Sequence, residues 1–336
     1  MPHLLVRLLT LVLACALGPA ALADGELLSR PDAGGPPTDL EVRLLLVDLA
    51  AIDSAEQTFS ASVFLEVHWK DERLAHDGPG ERFYDYGEIW APQFQIVNQR
   101  RLTLTLPQRL AVAPDGDVSY RQRYWGSFSQ PLDLHDFPYD RQSFRVLLVP
   151  LLPNIKPGDV ALVQDDELPS AITDEPSIPD WKVESWSSGP VSFNPGGVRK
   201  VDTAFELTFE TSRHSSYYLF KVILPLLLIV AMSWVVFWID PTDLGPQLSV
   251  SVTSMLTLIA YRFAVGNEMP KVGYLTRMDL FFLGSTLVVF ATLIEAVTTG
   301  VMAKRGRAEE ARRIDRVARV LFPSIAVAIV LKTLIL

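Results

Sequence analysis

Five side chains between Ser249 and Phe263 have types and spacing suited to handling water and ions: Ser249, Thr253, Leu256, Ala260 and Phe263. Their separations of 4, 3, 4 and 3 residues put all five on one face of a helix. The first two carry hydroxyls and the last three are apolar. At 1.5 Å per residue the stripe is about 21 Å long, most of the hydrocarbon thickness of a bilayer. Repeated around a symmetry axis, it would line a water path whose apolar rings close by dewetting. The same pattern fits a buried helix whose Ser and Thr hydroxyls bond back to the preceding turn. The rest of the chain has to decide between the two.

Other chemistry is sparse. No GxSxG, HExxH, GxxxxGK or GxGxxG string occurs, and His68, His76, His135 and His214 each stand alone without an i,i+4 partner. No catalytic group, metal site or cofactor is expected. The net charge of −9 argues against a nucleic-acid partner, and an acidic exterior gathers cations. The one cysteine, Cys15, lies in an N-terminal stretch with an early Arg7, an apolar run from Leu8 to Leu17, and Ala21-Leu22-Ala23 before Asp24. That stretch reads as a signal peptide, residues 1–23, which leaves a mature chain without a disulfide.

The elements that would position the stripe divide into a wet part and an apolar part. Residues 24–38 are rich in Gly and Pro and read as a flexible leader. Residues 39–213 show short runs of period-two alternation punctuated by turn signals such as Pro114-Asp115-Gly116-Asp117, which predicts an antiparallel, immunoglobulin-like β-sandwich. Residues 214–336 hold four apolar runs, at 218–239, 247–265, 280–302 and 317–336, and the stripe lies in the second. The first contains Pro225, tolerated where a neighbour satisfies the freed carbonyl. The linker at 303–316 is strongly basic and so is expected on the cytoplasmic side. With the signal peptide, this places the sandwich on the outer side of the membrane and the bundle within it, in contact with lipid.

Three strings then acquire meaning. Trp69-Lys70-Asp71-Glu72-Arg73-Leu74 has the form WxDxRL, Ile89-Trp90-Ala91-Pro92 with Asn98 has the form IWxP…N, and Phe137 to Gln142 has the form FPxDxQ. In this order, followed by Arg213-His214-Ser215-Ser216-Tyr217-Tyr218 and four spans, they resemble the pentameric ligand-gated ion channels, the Cys-loop receptor family, and most closely its bacterial branch. The resemblance implies a homopentamer with the stripe around a central pore. It also implies a small-molecule agonist bound between subunits. The signature disulfide would bracket the FPxDxQ loop at Gln130 and Phe144, and neither is cysteine.

Carried over residue by residue, the resemblance places Val97 and Leu151 where pocket aromatics usually sit. Phe64 falls on the complementary face, Phe193 on the loop near Ser188 to Lys200, and Tyr124 on the inner sheet. Rings would box an amine through their negative faces, and two walls of this box are missing. Protons are the other expected stimulus, with His135 and His214 as candidate sensors near the membrane junction. For coupling, the turn at Ile52-Asp53-Ser54, Phe137, Pro138 and Asp140 of the FPxDxQ loop, and Pro270 of the outer linker should meet, with Arg213 pairing Asp140 and Asp53. The turn before the stripe resembles a cation-selective pattern, with Asp243 at one mouth and Glu268 at the other, although Pro246 stands where a glutamate would follow Gly245. Permeant monovalent cations are therefore expected. The competing reading from the residues is a periplasmic sensor or adhesin anchored by a non-conducting bundle.

Overall fold

The computed structural model of the chain describes residues 27–151, 158–193, 201–266 and 269–335. The expected signal peptide, residues 1–23, and Glu268 lie outside these. Among the described residues, twelve strands form two sheets. The larger has the order β10 (Ala171–Ile172), β1 (Thr38–Asp53), β2 (Thr58–Lys70), β7 (Asp117–Ser129), β6 (Arg109–Val112) and β3 (Arg82–Asp85). In the same sheet, β5 (Gln99–Leu104) also pairs with β7, and β9 (Val160–Gln164) with β1. The smaller has the order β11 (Trp181–Phe193), β12 (Val201–Arg213), β8 (Arg141–Leu151) and β4 (Gln93–Ile96). β1 runs parallel to β9 and β10, so the sandwich is not wholly antiparallel.

Period-two alternation builds the core. Leu40, Val42, Leu44 and Leu46 of β1 face inward, then a bulge between Leu46 and Asp48 resets the phase so that Leu49 is buried too. At one end Phe59 stacks on Phe128 at 4.9 Å and meets Phe144 edge-on at 5.1 Å, and Phe144 stacks on Phe209 at 5.5 Å. These four rings pin the sheets together around a position where a disulfide was expected to be missing. Within the expected leader, residues 24–38, the described part from 27 to 37 forms turns around Arg30, which is nine-tenths buried and donates to the carbonyls of Asp32 and Pro36. A composition rich in Gly and Pro permits tight turns as readily as flexibility.

Four helices follow, each long and apolar enough to cross a membrane: α1 (Ser216–Trp238), α2 (Leu244–Val265), α3 (Arg277–Lys304) and α4 (Ala308–Leu334). In α1, Pro225 cannot donate to the carbonyl of Lys221. The helix widens into a π-turn over Leu219–Ile223, and the Tyr261 hydroxyl of α2 reaches across to the carbonyls of Lys221 and Val222 at 3.1 and 2.9 Å. The kink thus ties α1 to the stripe-bearing helix. Thr276 and Asp279 form a capping box at the start of α3. The segment read as a linker, 303–316, is mostly helix. α3 stops at Gly306, whose φ of 83° is open to glycine, and α4 begins at Ala308, held by Arg307–Glu310 and Glu309–Arg312 pairs at i,i+3.

A histidine outside the expected site adds a pH dependence to the sandwich. His68 lies between Asp117, 3.2 Å from Nδ1, and Glu66, 3.3 Å from Nε2, and these carboxylates hold its pKa up at about 9. The same contact with His68, reinforced by Arg121, lowers Glu66 to about 2. A raised histidine stabilises the fold fully below its unfolded value near 6.5, and that contribution is lost as pH rises through about 9. The melting temperature is therefore expected to fall on the alkaline side, and His68→Gln should flatten that fall. An unchanged slope in the variant would remove His68 as its source.

Candidate functional site

The five stripe residues share the side of α2 that the rest of the chain leaves uncovered. All are exposed, Leu256 to 61% and Phe263 to 81%, whereas Gln247, Ser251, Ser254, Leu258 and Val265 face inward against the other helices. The buried hydroxyls Ser251 and Ser254 donate back to the carbonyls of Gln247 and Val250. The back-bonding alternative therefore describes the opposite face of the helix, and Ser249 and Thr253 point away from it.

At the start of α2, Pro246 occupies the first turn, where a backbone N–H has no helical partner to lose. Asp243 sits at the N-cap, exposed, and its carboxylate makes no capping bond. Negative charge is favoured at that end by the helix dipole. Glu268, expected at the opposite mouth, lies outside the described residues.

The junction between sandwich and helices gathers most of the coupling candidates. Ile52, Asp53, Ser54, Phe137, Arg213 and Pro270 line a single cavity of about 410 Å³, together with Trp181 and Tyr218. Arg213 makes a two-pronged pair with Asp140, Nε to Oδ1 at 2.7 Å and Nη2 to Oδ2 at 3.1 Å. Its guanidinium lies 4.1 Å from the Trp181 ring centroid and 5.0 Å from that of Phe137. With side chains 6% and 1% exposed, this is a buried ion pair, unlike a solvated surface bridge. The expected second partner is corrected: Arg213 donates to the Ser54 hydroxyl at 3.1 Å, and Asp53 instead accepts from the amides of Ala55 and Glu56. A short Asp side chain at the head of a turn is satisfied locally first.

Each sequence motif proves to hold this junction or its frame. Gln142 donates to Asp140 at 2.8 Å and to the Asp133 carbonyl at 2.6 Å, closing the FPxDxQ loop around the ion pair. The Phe137–Pro138 peptide is cis, and Phe137 meets Tyr218 of α1 edge-on at 4.8 Å. Trp69 and Trp90 cross at 5.9 Å, Asp71 binds Arg73, and Asn98 donates to the Arg145 carbonyl at 2.7 Å. Two residues escaped the sequence. Tyr274 of the outer linker accepts from the Leu134 amide at 2.9 Å and stacks on His135 at 4.0 Å. Arg277 at the start of α3 pairs with Asp136 at 2.7 Å. Both join the helices to the FPxDxQ loop, and no local pattern marks either one.

The two proton candidates differ in setting. His135 is exposed and bonded through Nδ1 to Asp133 at 2.6 Å, on top of Tyr274. His214 is exposed and lines a cavity beneath β11 with Trp181 and Trp186.

The five agonist-pocket candidates separate into three places. Val97 and Phe193 pack on Leu147, Val149 and Ala204 of the smaller sheet. Tyr124 and Leu151 line a cavity of about 530 Å³ with Tyr86, Phe94 and Tyr120. Phe64 lies on β2 opposite Arg123, and the register puts Trp125, an exposed ring the sequence reading missed, across from Ser62 on the same strand. Val97 and Phe193 lie beside the smaller sheet, whereas Phe64 lies on the larger.

Among the described residues, no group of three His, Cys, Asp or Glu is placed to hold a metal.

Comparison with known proteins agrees with this geometry. Residues 24–148 match the family model for the neurotransmitter-gated ion-channel ligand binding domain, and residues 222–311 match that for the neurotransmitter-gated ion-channel transmembrane region. The chain is 26% identical over 297 residues to the proton-gated ion channel of Gloeobacter violaceus, covering 87% of this chain and 81% of that one. It is 27% identical over 307 residues to a gamma-aminobutyric acid receptor subunit beta-like protein of Drosophila melanogaster. That match covers 83% of this chain and 60% of the longer relative.

Proposed function

We propose that this chain, which belongs to the bacterial branch of the pentameric ligand-gated ion-channel (Cys-loop receptor) family, assembles as a homopentamer that passes monovalent cations. The observation that carries the reading is the uncovered face of α2. One chain leaves a hydroxyl-then-apolar stripe without a partner, and a ring of copies turns that face toward a shared axis. Leu256, Ala260 and Phe263 then form the rings that dewet in the closed state, and Ser249 and Thr253 hold water below them. The sandwich lies in the periplasm and the bundle in the inner membrane.

Cation preference rests on Asp243, whose free carboxylate would be repeated around the α2 entrance, with Glu268 as the second ring. The stimulus is a small extracellular ligand, amine-like, or protons. An agonist would sit between Val97 and Phe193 of one subunit and Phe64 of the next. The proton reading draws on the name of the Gloeobacter relative and on His135, whose ring stacks on the linker between α2 and α3. His135 also meets Asp133 at 2.6 Å, so this ring joins the FPxDxQ loop to the linker. The signal would pass from the sandwich through Asp53, Phe137, Pro138, Asp140 and Arg213 to Pro270.

The test is a reversal potential, recorded from the purified chain in liposomes under a salt gradient, with candidate amines and acid steps as stimuli. Reversal near the cation equilibrium potential is expected, and Asp243→Asn should move it toward zero. Reversal at the anion potential would overturn the selectivity assignment.

A further inference from the structure

Five acidic side chains among the described residues are more than nine-tenths buried: Glu66, Asp71, Asp140, Asp165 and Asp315. Four have compensation. Glu66 meets Arg121 and His68, Asp71 meets Arg73, and Asp140 meets Arg213, while Asp165 accepts the amides of Glu167 and Leu168. Asp315 differs. It lies on α4, about two turns in from the α3–α4 turn, is 2% exposed, and its Oδ1 is sealed from solvent without a hydrogen-bond donor. It faces Glu295 of α3 at hydrogen-bonding range, and both carboxylate oxygens of Glu295 are likewise sealed and unpartnered.

The charged groups around the pair are engaged elsewhere. Arg319, one turn further along α4, donates to the Phe237 carbonyl at 3.0 Å and lies 5.3 Å from the Trp238 ring centroid. Arg312 bridges Asp240 at 3.0 Å and Glu309 at 3.1 Å, so Asp240 brings a further negative charge close by rather than relief. The Thr299 hydroxyl touches Asp315, but its hydrogen goes to the Glu295 backbone carbonyl at 3.0 Å. Two bare carboxylates in contact in a low-dielectric bundle suffer both desolvation and mutual repulsion. One hydrogen between them removes both penalties, because a carboxyl O–H donates where no other donor is present.

We propose that Glu295 and Asp315 form a proton-binding site, in which one proton is held between the two carboxyls and clamps α4 onto α3 at the end of the bundle far from the sandwich. Releasing that proton would leave two negative charges face to face and loosen the α3–α4 contact. This goes beyond the channel reading and stands on the packing of the bundle, independent of conduction.

Infrared spectroscopy of the full purified chain in lipid at neutral pH tests it, in ordinary and heavy water. A protonated carboxylic-acid carbonyl band that moves to lower frequency in heavy water is expected. Glu295→Gln and Asp315→Asn should each abolish it, since an amide donating to the remaining carboxylate needs no proton. The two substitutions preserve volume. If one fails to assemble, the other still decides. Absence of the band in the unaltered chain, or its persistence in a folded variant, would overturn the site. Electrically silent bilayers with the band present would sink the channel reading and leave this one standing.

Discussion

Serine in place of Leu256 is expected to shift the stimulus–current curve about tenfold toward weaker stimulus and to raise the current seen without any. Leu256 is the first apolar residue above the two hydroxyls of the stripe, and the chain leaves it 61% exposed on the face proposed to line the pore. A ring of leucines excludes water from a narrow passage, whereas a ring of hydroxyls retains it. The change is multiplied by the number of subunits. If each copy alters the closed-to-open balance by only about 0.3 kcal/mol, five copies approach the roughly 1.4 kcal/mol that corresponds to tenfold. Leu258→Ser is the natural control. That side chain is buried among the helices, so a hydroxyl there should weaken folding without the same leftward shift. An unmoved curve in Leu256→Ser would take Leu256 out of the gate.

Asp140→Asn should cost about 3–5 kcal/mol, because it leaves the Arg213 guanidinium buried without its counter-charge. The loss should appear twice, as a lower melting temperature and as stimulus-evoked current that disappears while the protein still reaches the membrane. Both follow from position. Arg213, held by Asp140, lines the cavity that also receives the β1–β2 turn, Tyr218 of α1 and Pro270 of the linker between α2 and α3. Adding Arg213→Gln should recover part of the stability but not the current, since the remaining amides can pair yet no longer join the two layers by charge. Full currents and an unaltered melting temperature in Asp140→Asn would show that the pair is incidental.

How far the sequence could be read follows from the range of the forces involved. Period-two alternation and long apolar runs are local, so the sandwich, the four helices and the direction of the α2 stripe were all legible. Strands β3, β9 and β10 were not, because they are short, and β9 and β10 exist only through parallel pairing with β1. The basic linker looked like a loop because its charges hid the i,i+3 pairs that make it the first turns of α4.

Within the site, Asp140–Arg213 could be anticipated, but its burial beneath Trp181 and Phe137 could not. Tyr261 on the Pro225 kink and Tyr274 on His135 were invisible for the same reason. Each is a single hydroxyl or ring whose partner lies far along the chain. The Asp53 expectation failed because a turn's own amides outcompete a distant cation.

The central claim is that the stripe of α2 faces a conducting path. Cys15, within the expected signal peptide, is the one cysteine of the chain, so thiols introduced into the mature protein would be the ones a reagent finds. Cysteine placed singly at Ser249, Thr253, Leu256, Ala260 and Phe263, and at Ser251, Ser254 and Leu258, should be treated with a charged thiol reagent during current recording. Modification is expected to block current at the first five and leave the other three unaffected. Block at the second set with no effect at the first, or no current from any well-folded preparation, would contradict the account.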